Sequence, residues 1–319
     1  MKKLWGSNDM GEGPNAVQWL VGDFLGQGRD YILQCWNYGS RMGMFIYGWD
    51  GSAISKIWQS SDVGQGSNAV AWLVGKMAIR RKHNVVQCFD NGGQLGIIIY
   101  AWDEVAKKME TLWTSSNVGH GSSAVKWLIG DITGGGTDKI IQCCNNNGQL
   151  SFIVYQWNGK SLDAKTFSPK EGSGAVTWHL GRIMGKKQPQ IVQGYRSDKD
   201  HLGLILYDWQ NDTIAPVDVN IDMKQGYQAI QWLYTDVTGK GFDDILQLWN
   251  NGYLACIQYG YNPITDKIEQ IWSSSNLDQY TPAIKWITGK ITGGPANEIV
   301  KIYTGAQNTL AMLVYHWKL

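Results

Sequence analysis

Apolar positions along the chain fall in short runs broken by turn residues. Residues 69–75 (AVAWLVG), 84–89 (NVVQCF), 95–102 (LGIIIYAW) and 109–113 (METLW) are four such runs in succession. β-branched and aromatic residues fill them, and no long segment carries a helical period, so each run predicts a strand. Asn91-Gly92-Gly93, Asn147-Gly148 and Asn251-Gly252 separate second from third runs and predict tight hairpins.

The four-run unit repeats. The phrase Ala-(Val/Ile)-x-Trp occurs six times, with tryptophans at 19, 72, 127, 178, 232 and 286, separated by 53, 55, 51, 54 and 54 residues. A period of about 53 residues accounts for the whole chain of 319, without linker or second domain. Four strands in each of six repeats predict an all-β, six-bladed β-propeller of four-stranded antiparallel blades, with residues 1–319 as a single domain. The last repeat stops at its third run, Leu313-Val314-Tyr315-His316-Trp317. The opening Lys2-Lys3-Leu4-Trp5 matches the fourth runs that end at Trp58, Trp113 and Trp272. The N-terminal strand is therefore expected to complete the last blade and remove a free edge.

The turn between first and second runs resembles the FG-GAP and VCBS repeats of integrin-type propellers. The matching stretches are Gly22-Asp23-Phe24-Leu25-Gly26-Gln27-Gly28-Arg29-Asp30, Gly130-Asp131-Ile132-Thr133-Gly134-Gly135-Gly136-Thr137-Asp138 and Asp236-Val237-Thr238-Gly239-Lys240-Gly241-Phe242-Asp243-Asp244. Repeats two, four and six replace the first aspartate by Lys76, Arg182 and Lys290. The resemblance implies a calcium loop, with Asp23, Asp131 and Asp236 as its candidate ligands. Calcium takes six to eight oxygens, and the middle acidic positions here are Leu25 and Gln27, Thr133 and Gly135, Thr238 and Lys240. Any such site would be weak, and the alternative is that each aspartate caps its turn by accepting backbone amides. No metal and no cofactor are expected.

Charge and composition narrow the function. With 28 basic against 27 acidic side chains and no basic block, a nucleic-acid partner is not expected. No apolar run is long enough for a membrane-spanning helix. The five cysteines match no zinc spacing, and Cys35, Cys88 and Cys143 follow a glutamine inside apolar runs, as buried free thiols would. Met1-Lys2-Lys3-Leu4-Trp5-Gly6 has no apolar segment of signal-peptide type, so the expected location is cytoplasmic, or outside after release without a cleaved signal.

Tryptophan, at 17 residues, is the abundant outlier. Six belong to the Ala-x-x-Trp set, expected to face the packed side between blades, with Val17, Trp19 and Val21 alternating against Ala16 and Gln18. Trp5, Trp58, Trp113 and Trp272 end fourth runs, and Trp49, Trp102, Trp157, Trp209 and Trp317 end third runs. Trp36 and Trp249 remain, on the loop joining second to third runs. Gln34, Gln87, Gln142, Gln193 and Gln247 share one strand position, taken by Lys301 in repeat six; a buried amide bridging strands is favoured there over a channel-facing ligand.

In a four-stranded blade, the second-to-third loop lies on the same face as the junction into the next blade. The first set reads Trp36-Asn37-Tyr38-Gly39, Phe89-Asp90-Asn91-Gly92, Cys144-Asn145-Asn146-Asn147, Tyr195-Arg196-Ser197-Asp198, Trp249-Asn250-Asn251-Gly252 and Tyr303-Thr304-Gly305. The junctions place Asp9, Asp62, Asn117 and Asn276 four residues after a tryptophan, with Asp222 as a fifth member. The junction into repeat four, Phe167-Ser168-Pro169-Lys170-Glu171, is shortened and lacks one. The candidate binding residues are therefore Asp9, Trp36, Asn37, Asp62, Phe89, Asp90, Asn91, Asn117, Asn145, Asn146, Trp249, Asn250 and Asn276. Aromatic faces beside short amides and carboxylates suit a sugar, whose C–H face stacks while its hydroxyls bond. Several such shallow sites on one ring would gain avidity for glycans or glycoconjugates. The resemblance points the same way, since several propellers are lectins. The alternatives are that these loops are hairpin chemistry alone, and that the ring is a scaffold for a protein partner.

No enzyme is expected. His83, His120, His179, His201 and His316 share no repeat position, and no nucleophile elbow, phosphate loop or His-Glu-x-x-His pattern is present. A site confined to the divergent repeat four, with His179, Arg182 and Arg196, is the remaining catalytic alternative.

Overall fold

A computed structural model describes residues 1–39, 41–64, 66, 68–77, 82–279 and 282–317. They form six four-stranded antiparallel sheets, the fold class of a six-bladed β-propeller. The chain divides into two compact units, Met1–Ser123 with Thr281–Leu319, and Ala124–Tyr280, each holding three blades.

Blade two shows the plan. Ala71–Gly75, Asn84–Asn91, Gln94–Asp103 and Lys108–Ser115 pair in chain order, each strand with its sequence neighbour. Blade six is built from Lys285–Gly289, Glu298–Thr304 and Leu310–His316, and Lys2–Ser7 pairs against the last of these as its fourth strand. The expected closure by the N-terminal strand is thus observed.

Packing corrects one expectation. Trp19, Trp72, Trp127, Trp178, Trp232 and Trp286 are buried, but so are the next residues, Leu20, Leu73, Leu128, Leu233 and Ile287. Val17 does not join Trp19 in the core: it is 43% exposed, and its counterparts in the other five blades lie between 41 and 46%. The first strand begins one residue later, at Gln18, and is covered on both faces within its unit, so simple alternation fails there. One apolar cluster joins blades one and two and another joins six and one; in the second unit, clusters join three with four and four with five.

Turns also stitch neighbouring blades. Backbone N–H of Asp23 donates to His83 Nδ1 at 2.8 Å, while His83 N–H returns to Asp23 O at 3.1 Å. Lys290 and Asp30 make the same reciprocal pair between blades six and one, as do Arg182 and Asp243 between four and five. The substitutions that break the aspartate pattern in repeats four and six thus sit at turns held by a neighbour's carboxylate.

The column of buried glutamines is matched by a column of buried tyrosines. Tyr47, Tyr100, Tyr155, Tyr207 and Tyr259 donate their hydroxyls to Oε1 of Gln34, Gln87, Gln142, Gln193 and Gln247 over 2.5 to 2.8 Å. In blades one, two, four and five the glutamine Nε2 donates to two carbonyls of the incoming junction, for example Gly66 O at 2.9 Å and Asn68 O at 2.6 Å. Each amide is satisfied and locks a loop onto its blade, as a strand-bridging role requires.

Candidate functional site

The candidate residues expected on loops mostly lie on strands: Trp36, Asn37, Phe89, Asp90, Asn91, Asn145, Asn146, Trp249 and Asn250 end second strands, and Asn276 falls within the fourth strand Lys267–Gln279, because pairing runs on into the turn sequence. The junction leaving the fourth strand crosses the hairpin between second and third strands of the same blade. In blade two, Asn91 Nδ2 donates to Ser116 O at 3.1 Å, the Ser122 hydroxyl bonds Asp90, and Gln94 bridges to Gly121. In blade one, Arg41 forms an ion pair with Asp62; in blade four, His201 Nδ1 lies 3.0 Å from Asp222; in blade six, the Tyr303 hydroxyl donates to Asn8 at 2.7 Å. The two sequence-predicted sets are brought together.

Most of the polar members are also turn residues. One side-chain oxygen of Asp9, Asp62 and Asn117 accepts the amide of Gly11, Gly64 and Gly119 at 2.7 Å, and Ser7, Ser60 and Ser115 brace the same turns. Asn276 donates its backbone N–H to Ser274 Oγ. Asp90, Asn145 and Asn250 accept the amides of Gly93, Gly148 and Gly252. The Gly64 amide, joined by the Arg41 guanidinium, holds the Asp62 carboxyl below its usual range; the Lys224 amide, with His201, does the same for Asp222. Asn37, facing Met42, and Asn146, facing Gln149, are exposed at the hairpin ends. Each local bond uses one oxygen. The remaining oxygen or amide group of Asp90, Asn145 and Asn250 lies at the exposed end of its blade.

The aromatic members are half-buried and lie flat on a small residue of the third strand. Trp36 pairs across with Gly43, Phe89 with Gly96, Tyr195 with Gly203, Trp249 with Ala255 and Tyr303 with Ala311. A Cβ at Gly43, Gly96 or Gly203 would collide with the ring above it. The missing side chain is what lets the ring lie down and turn one face outward.

Two of these rings line grooves of the same construction. In blade two, Gly66, Asn68, Ala69, Val70, Gln87, Phe89, Asp90 and Ile98 enclose about 590 Å³. In blade five, Gly226, Gln228, Ala229, Ile230, Gln247, Trp249, Asn250 and Ile257 occupy the matching positions around about 650 Å³, with Asp200, Gln225 and Tyr227 added at the edge. Both fall within the roughly 300–1,000 Å³ typical of ligand pockets. Sequence reasoning found the aromatic and its polar neighbour. It missed the Gly-x-x-Ala backbone that floors the groove, although that motif stands before most of the repeated Val/Ile-x-Trp phrases.

The calcium loops are occupied by protein atoms. Asp23 accepts the amides of Gln27 and Gly28, Asp131 those of Gly135 and Gly136, and Asp236 those of Lys240 and Gly241, over 2.6 to 3.1 Å. In blade three the buried Lys139 ammonium lies 3.4 Å from Asp131, 2.6 Å from Thr133 Oγ1 and 2.7 Å from Thr137 O. A fixed cation therefore stands where a divalent ion would need those oxygens. The donor set does not fit calcium, and among the described residues no cluster of three or more His, Cys, Asp and Glu could hold a metal.

A larger cavity of about 1,010 Å³ lies among blades three to five, lined by Val125, Val176 and Ile230 with Lys126, Gln231 and His179. His179 stacks on Tyr234 at 3.9 Å. Cys35, Cys88, Cys143 and Cys256 are buried free thiols, and Cys144 is partly exposed. Burial pushes the Cys256 thiol up to about 12. Among the described residues no helix is long and apolar enough to cross a membrane.

No protein-family model matches the chain, and no curated protein matches it. Solved structures do. A chain of the Photorhabdus luminescens Tc holotoxin pore carrying the TccC3-D651A mutation is 10% identical, with a TM-score of 0.59 over 96% of this chain. This chain spans only 14% of the length of that toxin chain. BBS1N, crystallised with ARL6DN, is 9% identical with a TM-score of 0.49, covering 99% of this chain and 96% of that one. The exotype rhamnogalacturonan lyase YesX is 12% identical with a TM-score of 0.42, covering 98% and 64%. At such identities the likeness to the toxin chain concerns the fold alone, and the fold is a β-propeller.

Proposed function

We propose that the chain is a multivalent carbohydrate-binding protein, a lectin without catalytic chemistry, built on integrin-type FG-GAP/VCBS-like repeats. The observation that carries this reading is the groove repeated in blades two and five, where an aromatic face adjoins a short carboxylate or amide over a backbone floor. A pyranose stacks on such a face and directs its hydroxyls to such groups. The floor is pinned by buried glutamine bonds before any ligand arrives, which lowers the ordering cost of binding. The loops that would hold calcium are filled, so binding is expected not to need it. The five free thiols fit a reducing compartment, in keeping with a cytoplasmic location or release without a cleaved signal.

Haemagglutination with sugar inhibition, followed by a glycan array with calcium and with chelator, tests the reading. Equal hits in both conditions support it, and an array with no signal above background overturns it.

A protein scaffold is the second reading, favoured by the exposed aliphatic set Val125, Val176 and Ile230 around the largest of these cavities. It requires capture of a protein partner that is lost in Val176→Asp and kept in Trp249→Ala.

A further inference from the structure

Six blades share one plan, but their grooves differ in what occupies them. In blade one the position facing Gln34 is Phe45, where blades two and five have Ile98 facing Gln87 and Ile257 facing Gln247. The Phe45 ring sits 5.4 Å from Trp36, and the Lys56 ammonium, paired with Glu12, lies over it at 5.1 Å. Trp36 Nε1 is buried beneath this stack, so that groove is filled by the protein's own side chains.

Blade three has Cys144 in place of a ring. In blade four the residue after Tyr195 is Arg196, whose guanidinium covers Tyr227 at 5.1 Å and pairs with Asp200, and the carboxylate beside the ring, Asp222, is already engaged by His201 and the Lys224 amide. In blade six the Tyr303 hydroxyl is taken by Asn8, and the buried Lys301 ammonium lies 5.4 Å from its ring.

We infer, building on the carbohydrate reading, that blades two and five carry the working subsites, one in each compact unit, and that each takes one neutral or amino pyranose. The ring stacks on Phe89 or Trp249, and its hydroxyls meet Asp90 or Asn250. Asp90 Oδ1 is already held by Gly93 and Ser122, so Oδ2 is the oxygen offered to a ligand. That carboxylate accepts hydroxyl or ammonium donors and repels a uronate. The divergence of blade four also shapes the blade-five groove: by tying Asp200 to Arg196 and covering one face of Tyr227, it builds the outer wall beside Trp249.

The test is titration of the intact chain with methyl glycosides of glucose, galactose, mannose, N-acetylglucosamine, glucosamine and glucuronic acid, reading stoichiometry by calorimetry and native mass spectrometry. A bound glycoside is expected to saturate at two per chain. Ile98→Phe and Ile257→Phe copy the filled state of blade one, so each single variant should bind one and the double variant none. Unchanged thermal midpoints show that the variants fold; Phe89→Ala and Trp249→Ala provide the same losses by deleting the platform. The glucuronide should bind the blade-two subsite, isolated in Ile257→Phe, about fivefold more weakly than the glucoside, the effect of a like charge near 4 Å in water. Saturation above two, or binding that survives when Ile98→Phe is combined with Ile257→Phe or Phe89→Ala with Trp249→Ala, overturns the two-subsite assignment while leaving the carbohydrate reading in place. Failure of every glycoside to bind the wild-type chain overturns both.

Discussion

The Tyr100 hydroxyl donates to Gln87 Oε1 over 2.6 Å, with both side chains buried. The same amide holds two carbonyls of the incoming junction, so one side chain ties the third strand to the groove floor. Tyr100→Phe leaves a buried acceptor without its donor and is expected to cost about 1–2 kcal/mol. Gln87→Leu orphans two carbonyls and a hydroxyl together, and a loss of about 3 kcal/mol or more is expected. Urea midpoints read at an unchanged slope distinguish the two.

Lys139 supplies the charge of blade three's turn from within the chain. Lys139→Met removes the ammonium from Asp131, Thr133 and Thr137, and should destabilise the fold by about 1–3 kcal/mol, below the range for a fully buried pair because Asp131 is partly exposed. Calcium or a chelator should leave the thermal midpoint of the wild-type chain unchanged. A calcium-dependent rise would contradict the filled-loop geometry.

Asp244 gives a pH dependence with a definite sign. Burial pushes its carboxyl from 3.8 up to about 6, partly offset by a hydrogen bond from Gln258 at 2.9 Å. The folded chain thus keeps a proton that the unfolded chain releases. The resulting stability is fully present below about pH 4 and is lost as the pH rises through 6. Blade two has Asn84 at the matching position. Asp244→Asn should accordingly raise stability by about 1–3 kcal/mol at pH 7.5 and flatten the profile between pH 4 and 6. Denaturation series at several pH values check both.

Gly96 lies under the Phe89 ring, where a methyl group has no room. Gly96→Ala should lift the ring, cost about 1–3 kcal/mol through overpacking, and remove sugar binding in blade two alone. Near-ultraviolet dichroism and the titration stoichiometry report the two effects separately.

The blade count, the strand order and the closing role of Lys2–Ser7 were legible because one buried tryptophan per repeat sets the period. The glutamine column was legible as buried amides, and its partner was equally visible: a tyrosine stands 12 to 14 residues later in five repeats. The exposure of Val17 was hidden, since alternation assumes one buried face, whereas the first strand is covered on two. The difference between an open and a filled groove was hidden as well. It rests on Ile98 and Ile257 against Phe45, three apolar residues equivalent in any hydropathy pattern. Lys139 was unremarkable in sequence because only the fold places its ammonium among loop oxygens.

Blade six joins the two ends of the chain in one sheet, and this has a cost during synthesis. Lys2–Ser7 is made about 300 residues before its hydrogen-bonding partner Leu310–His316. A nascent chain therefore carries an unpaired strand edge until that partner is made, open to a neighbouring polypeptide. The short, lysine-rich start of that strand, Lys2-Lys3, is the kind of guard that keeps such an edge from pairing with the wrong chain before its own partner arrives.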